Sequence, residues 1–152
     1  MSDAAAPAPL TATEMAAWRA FVRASAKVTR LLETELQSEH DLSLAGYAVL
    51  VMLSEAPARS RRMSELADEL ALTRSAVTRL VDKLVRAGLV ERATCPSDAR
   101  GSFAHLTDAG LAALRDAYPT HLAGVRRHVF DRLTDEQAAA MGSALCALAA
   151  PA

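Results

Sequence analysis

A chain of 152 residues is long enough for one compact domain, or for a small domain with helical extensions, and too short for a second, separate catalytic domain. Apolar residues make up 51% and aromatic residues only 4%, so the apolar positions are mostly alanine, leucine and valine, a composition that suits close-packed helices. The net charge of −1 argues against wholesale nonspecific nucleic-acid binding, and any surface for a polyanion has to be local.

Cys95 and Cys146 lie far apart and form no Cys-x-x-Cys pair, which indicates neither a disulfide scaffold nor a zinc knuckle. No run of 18 apolar residues exists, and the first twenty residues lack a basic-then-apolar leader. The expectation is a soluble, cytoplasmic protein with no membrane partner.

Residues 1–10, MSDAAAPAPL, are Ala/Pro-rich and read as a disordered tail. Thr11 and Glu14 then form a capping-box pattern ahead of apolar residues spaced three or four apart: Met15, Trp18, Phe21 or Val22, Val28, Leu32 and Leu36, with Ser25 filling the one gap. This predicts a helix of about 25 residues whose stripe is either core or dimer face. A turn over 41–44 leads to LAGYAVLVMLSEA, a buried second helix that ends before Pro57, so residues 11–56 read as N-terminal dimerisation or support helices. The basic segment ARSRR follows as a loop whose Arg59, Arg61 and Arg62 are candidate phosphate contacts.

Residues 57–106 carry the segment on which the rest depends. Leu66, Ala67 and Leu70 on one short helix, and Val77, Leu80, Val81 and Leu84 on a second, give the spacing of a helix-turn-helix. Thr73 is a suitable N-cap for the second helix and Gly88 a suitable left-handed end, so the helix should span about residues 74–87. Arg74, Ser75, Thr78 and Arg79 lie on its polar N-terminal half, with Lys83 and Arg86 further along. Hydroxyl and guanidinium groups donate in fixed directions to base edges and phosphates. A basic polar face alone is more often solvated surface than binding site, and the sequel tips the balance. LVERAT reads as a strand, CPSDARG as a turn and SFAHL as a return strand. A helix-turn-helix followed by a two-stranded hairpin is a winged helix. Residues 59–100 hold nine Arg/Lys against six Asp/Glu, a local +3 that leaves the remainder at −4.

Beyond the wing, residues 107–152 read as C-terminal dimerisation helices. Thr107 is an N-cap, with Asp108 suited to the positive end of the helix dipole. Pro119 interrupts a pattern that resumes at Leu122, Val125, Val129 and Leu133, which predicts either one kinked helix or two helices sharing a face. Thr134 and Gln137 form a second capping box for a last helix through Met141, Leu145 and Leu148. The fold class is therefore mainly α with a small β-wing, a winged helix-turn-helix flanked by helices that hold two readers together, so that both recognition helices enter successive major grooves.

The segments MSELADEL, TRSAVTRLVDKLVRAGLVER and PSDARG, followed by HLTDAG, resemble the multiple-antibiotic-resistance regulator (MarR) family, and the resemblance extends over nearly the whole chain from Thr11. Its telling part is Asp98-x-Arg100 followed by Leu106, Thr107 and Gly110. The resemblance implies a homodimeric repressor of a near-palindromic operator. It implies that Thr73, Arg74, Ser75, Thr78 and Arg79 meet the major groove, that Lys83 contacts the backbone, and that Arg100 enters the minor groove with Asp98 orienting local arginines. A wing-tip arginine suits the negative potential of a narrow minor groove. Cys95 stands where such wings often carry an aspartate, and Ala99 where a second arginine is common.

Relatives in that family release DNA on binding small anionic or aromatic compounds, and Trp18 and Tyr47 are the candidates for an effector wall here; each is also a natural packing residue. Cys95, beside Arg92 and Arg100, is a candidate oxidisable thiol or an incidental one. His40, His105, His121 and His128 contain no i, i+4 pair, so neither a metal nor any other cofactor is assigned. No convergent nucleophile and base and no phosphate-cradling glycine loop point to an enzyme. The reading is a ligand-responsive transcriptional regulator, with a winged-helix protein-interaction module and a thiol-responsive regulator through Cys95 as alternatives.

Overall fold

In the computed structural model, residues 8–95 and 98–150 are described, with the backbone alone at 94, 95 and 98–101. Expectations for the first seven residues and for the side chains of Cys95, Asp98 and Arg100 lie outside the described residues. Helix α1, Ala12–His40, starts on the expected capping box: the Glu14 amide donates to Thr11 Oγ1 at 3.2 Å, and the Thr11 amide donates to the Glu14 carboxylate at 2.7 Å. The helix runs 29 residues, slightly longer than its stripe implies, and buries only Leu32 and Leu36. Its N-terminal half buries no residue among the described residues, and Trp18, Phe21 and Val22 are 56%, 44% and 42% exposed.

Helix α2, Leu44–Glu55, is capped by Ser43 Oγ, which accepts from the Gly46 amide at 3.0 Å. It forms the centre of the core, where Tyr47, Val49, Leu50 and Leu53 pack with Leu66 and Ala67 of α3 (Met63–Glu69), Val77, Val81 and Leu84 of α4 (Arg74–Arg86), and Leu36 of α1. Thr73 caps α4 through the Ala76 amide at 3.2 Å. At the other end Gly88 is left-handed, with φ at +73°; its amide reaches the Val85 carbonyl at 2.9 Å, and the Leu89 amide reaches Leu84 at 3.0 Å. This is the Schellman closure that a glycine one residue past the C-cap allows.

The wing contains one strand more than the sequence suggests. The basic segment expected as a loop includes strand β1, Ser60–Arg62, which pairs antiparallel with β3, Asp98–Leu106, and β3 pairs with β2, Val90–Cys95, giving the order β1-β3-β2. A three-residue strand has no readable alternation, and its partner lies more than 40 residues away, so only tertiary pairing shows it. Strand β3 also begins at Asp98, within the stretch expected as a turn, and the β2–β3 register shifts at Thr94/Cys95.

Helix α5, Asp108–His128, continues through Pro119, so the two-helix alternative is set aside. A proline inside a helix costs about 3 kcal/mol; burial of Leu114 and Ala117 before it and of Gly124 after it, together with the seam against α1, offsets it. In that seam Glu35 accepts from Arg127 at 2.9 Å and from His128 Nε2 at 2.7 Å, and His40 Nε2 bonds Thr120 Oγ1 at 2.8 Å. The helix stops at His128, and the Val129–Leu133 spacing belongs to a connection containing one 3₁₀ turn, Phe130–Arg132. Helix α6, Asp135–Ala149, opens on the Thr134/Gln137 capping box and buries no residue within the chain.

Candidate nucleic-acid interface

Helix α4 separates its two faces cleanly. Val77, Val81 and Leu84 are buried, while Thr73, Arg74, Ser75, Thr78, Arg79 and Lys83 are all exposed. The Thr73 hydroxyl serves first as the cap and lies 3.1 Å from Ser75 Oγ. The cations of this helix are also open to a partner. Four arginines elsewhere are tied to carboxylates, Arg59 to Asp108 at 2.9 Å, Arg61 to Glu69, Arg92 to Asp82 at 2.7 Å and Arg127 to Glu35 at 2.9 Å, whereas Arg19, Arg23 and Arg30 of α1 and Arg115 and Arg126 of α5 form no ion pair among the described residues. Arg62 lies over the Phe103 ring, 5.2 Å from its centroid. Arg74, Arg79, Lys83 and Arg86 have no carboxylate partner among the described residues. Unpaired guanidinium groups keep all their donors for an incoming phosphate or base edge, whereas Arg59 and Arg61, candidates from the sequence, are already engaged.

The wing is joined to this helix at its base. Thr107 Oγ1 donates to the Gly88 carbonyl at 2.8 Å and accepts from the Gly110 amide at 2.9 Å, so one hydroxyl links the end of α4 to the start of α5. Arg92 on β2 reaches Asp82 on α4, and its Nη1 lies 3.3 Å from Ser102 Oγ on β3. Sequence reasoning overlooked Asp82 and Ser102, because neither motif nor helical spacing links them to Arg92.

A second feature lies between α2 and α5, an open groove of about 740 Å³ lined mainly by apolar side chains, among them Met52, Leu114 and Tyr118, with Tyr47 and His121. The Tyr47 and His121 rings lie 4.4 Å apart between centroids, and His121 Nδ1 is buried without a hydrogen-bond partner. Burial holds the His121 imidazole below its ordinary value of 6.5 and, with the Tyr118 phenol adding to the effect, raises the Tyr47 phenol above 10.0. Trp18 is not part of this groove; it stacks near Phe21, with centroids 6.2 Å apart, on the exposed half of α1. A single protomer therefore does not bring Trp18 and Tyr47 together as one effector wall. His121, which the sequence presents only as a possible metal ligand, takes the place beside Tyr47.

Comparison with known proteins agrees with this geometry. Residues 40–101 match the family model described as MarR family. The chain is 32% identical over 121 residues to the uncharacterised HTH-type transcriptional regulator YkoM of Bacillus subtilis (strain 168), covering 79% of this chain and 76% of the relative. Among solved structures, Sco3205 of Streptomyces coelicolor, a MarR family transcriptional regulator in complex with DNA, superposes with a TM-score of 0.88 at 41% identity, over 94% of this chain and 90% of that one. AbsC, a MarR family transcriptional regulator of the same organism, gives 0.86 at 38% identity, over 94% and 96%. The winged helix with its free cationic face, together with these likenesses, identifies the chain as a member of the MarR family of transcriptional regulators and not an enzyme.

Proposed function

We propose that the protein is a cytoplasmic, homodimeric repressor that binds a near-palindromic operator sequence-specifically and is released by a small aromatic or anionic effector. Thr73, Arg74, Ser75, Thr78 and Arg79 meet the major groove, Lys83 holds the backbone, and Arg100, oriented by Asp98, reaches the minor groove. The observation that carries this reading is the exposed polar side of α4, the second helix of the helix-turn-helix, where Arg74, Arg79, Lys83 and Arg86 have no carboxylate partner among the described residues. The DNA complex of Sco3205 supports it. Dimerisation is supported by the exposed Trp18, Phe21 and Val22 of α1 and the exposed Leu145 and Leu148 of α6, apolar surface that a monomer would leave in water. Two copies joined there would present two α4 helices to successive major grooves about 10 base pairs apart.

The α2–α5 groove is the proposed effector site, with Tyr47 and His121 as its polar groups. Coupling would run through α5, whose first turn is tied to Gly88 by Thr107. Linkage then requires operator DNA to weaken effector binding by the factor by which effector weakens DNA binding.

The test is fluorescence anisotropy on duplexes from the protein's own promoter region. Specific binding should weaken steeply as salt rises, and Arg79→Ala and Arg100→Ala should each lower affinity about tenfold, the lower range of a lost base contact. Binding indifferent to both substitutions would remove the reading surface, and no DNA binding at all would favour a protein-interaction module.

A further inference from the structure

Asp82 is the only acidic residue in α4, placed among Arg74, Arg79, Lys83 and Arg86. A carboxylate there weakens attraction for phosphate, so its presence calls for a compensating role. Its partner is Arg92, whose Nε and Nη2 both donate to Asp82 Oδ1, at 3.1 and 2.7 Å, while Nη1 lies 3.3 Å from Ser102 Oγ. One planar cation thus touches α4 and both long strands of the wing. The two side chains are 37% and 42% exposed, and ion pairs this open to water add little to stability. A rigid fork held from two sides supplies orientation instead. Val90 and Leu106 anchor the base of the hairpin in the core, and Arg92 grips it two residues further out. Cys95 lies about 10 Å beyond Arg92 along β2, so a small pivot at the brace carries the tip through a distance that breaks a hydrogen bond.

We infer that Asp82 and Arg92 are positioning residues that set the angle between α4 and the wing, so that the α4 face and Arg100 engage one duplex together. The inference rests on the proposed DNA reading. The experiment measures anisotropy on the promoter duplex for wild type, Asp82→Asn and Arg92→Gln, each with and without Arg100→Ala. Charge alone predicts opposite effects, since Asp82→Asn removes a repulsion and Arg92→Gln an attraction. The brace predicts the same effect in both: Arg100→Ala costs about tenfold in wild type and threefold or less in either brace variant. Without DNA, β2 and β3 amides should exchange faster in both variants while those of α2 do not change. An Arg100→Ala penalty equal within twofold in all three backgrounds would overturn the brace and leave the α4 reading standing, provided Arg79→Ala still weakens binding. Should Arg100→Ala cost nothing in wild type, the brace and the wing's part in the proposed function would both fall.

Discussion

The Leu89 carbonyl oxygen occupies the space a side chain at position 110 would need: a β-carbon on Gly110 would sit 2.0 Å from it. The obstacle is backbone at the joint between α4 and β2, which cannot swing aside as a flexible side chain would. Gly110→Ala should therefore force α5 away from the wing base and destabilise by about 3 kcal/mol or more, the upper end for overpacking. Urea denaturation at fixed protein concentration checks this. A loss below about 1 kcal/mol, the lower end of overpacking, would mean the joint yields more easily than its geometry indicates.

Thr107 both caps α5 and binds the Gly88 carbonyl. Thr107→Val keeps the shape and removes both bonds, so a loss of about 1–2 kcal/mol is expected, near the top of the range for a lost N-cap. Thr107→Ser, which keeps the hydroxyl, should recover most of it.

Ala71 closes α3 in a left-handed conformation, φ +51°, with its amide on Asp68 and the Leu72 amide on Ala67. Left-handed backbone costs a residue with a β-carbon about 1–2 kcal/mol, and glycine loses about 0.5–1 kcal/mol more entropy than alanine on folding. Ala71→Gly should therefore raise stability by up to about 1 kcal/mol, seen as a higher urea midpoint with unchanged slope.

Burial lowers the pKa of His121 in the folded protein below the ordinary 6.5. The unfolded chain then binds this proton first, so stability is complete above about pH 6.5 and is lost as pH falls toward the depressed folded value. His121→Phe should flatten the stability profile below that pH relative to wild type. A wild-type profile with the same acid-side slope as the variant would show that the imidazole is not held neutral.

Trp18 and Phe21 cover one another on the exposed half of α1. If that half is the dimer face, Trp18→Lys should shift the light-scattering mass from twice 16.1 kDa toward 16.1 kDa at micromolar concentration, and operator affinity should fall with it. A dimer unaffected by the substitution would place the interface elsewhere.

Four helix starts and the end of α4 were available from the residues alone. The Thr11, Thr73, Thr107 and Thr134 caps and the Gly88 closure are each settled within a few residues of chain, because a cap satisfies amides one turn away. The exposed polar face of α4 was equally readable, since helical spacing alone opposes it to Val77, Val81 and Leu84. Tertiary structure decided the rest, because each remaining feature depends on residues far apart in the chain. Strand β1 exists through its pairing with β3, and α5 runs through Pro119 because the core holds the helix before it and the seam with α1 holds it after. The distinction between closed and free arginines arises the same way: Arg59 meets Asp108 and Arg92 meets Asp82 only once helices and wing are assembled. Tyr47 and His121 likewise share a groove because α2 and α5 pack side by side, a proximity that no local spacing encodes.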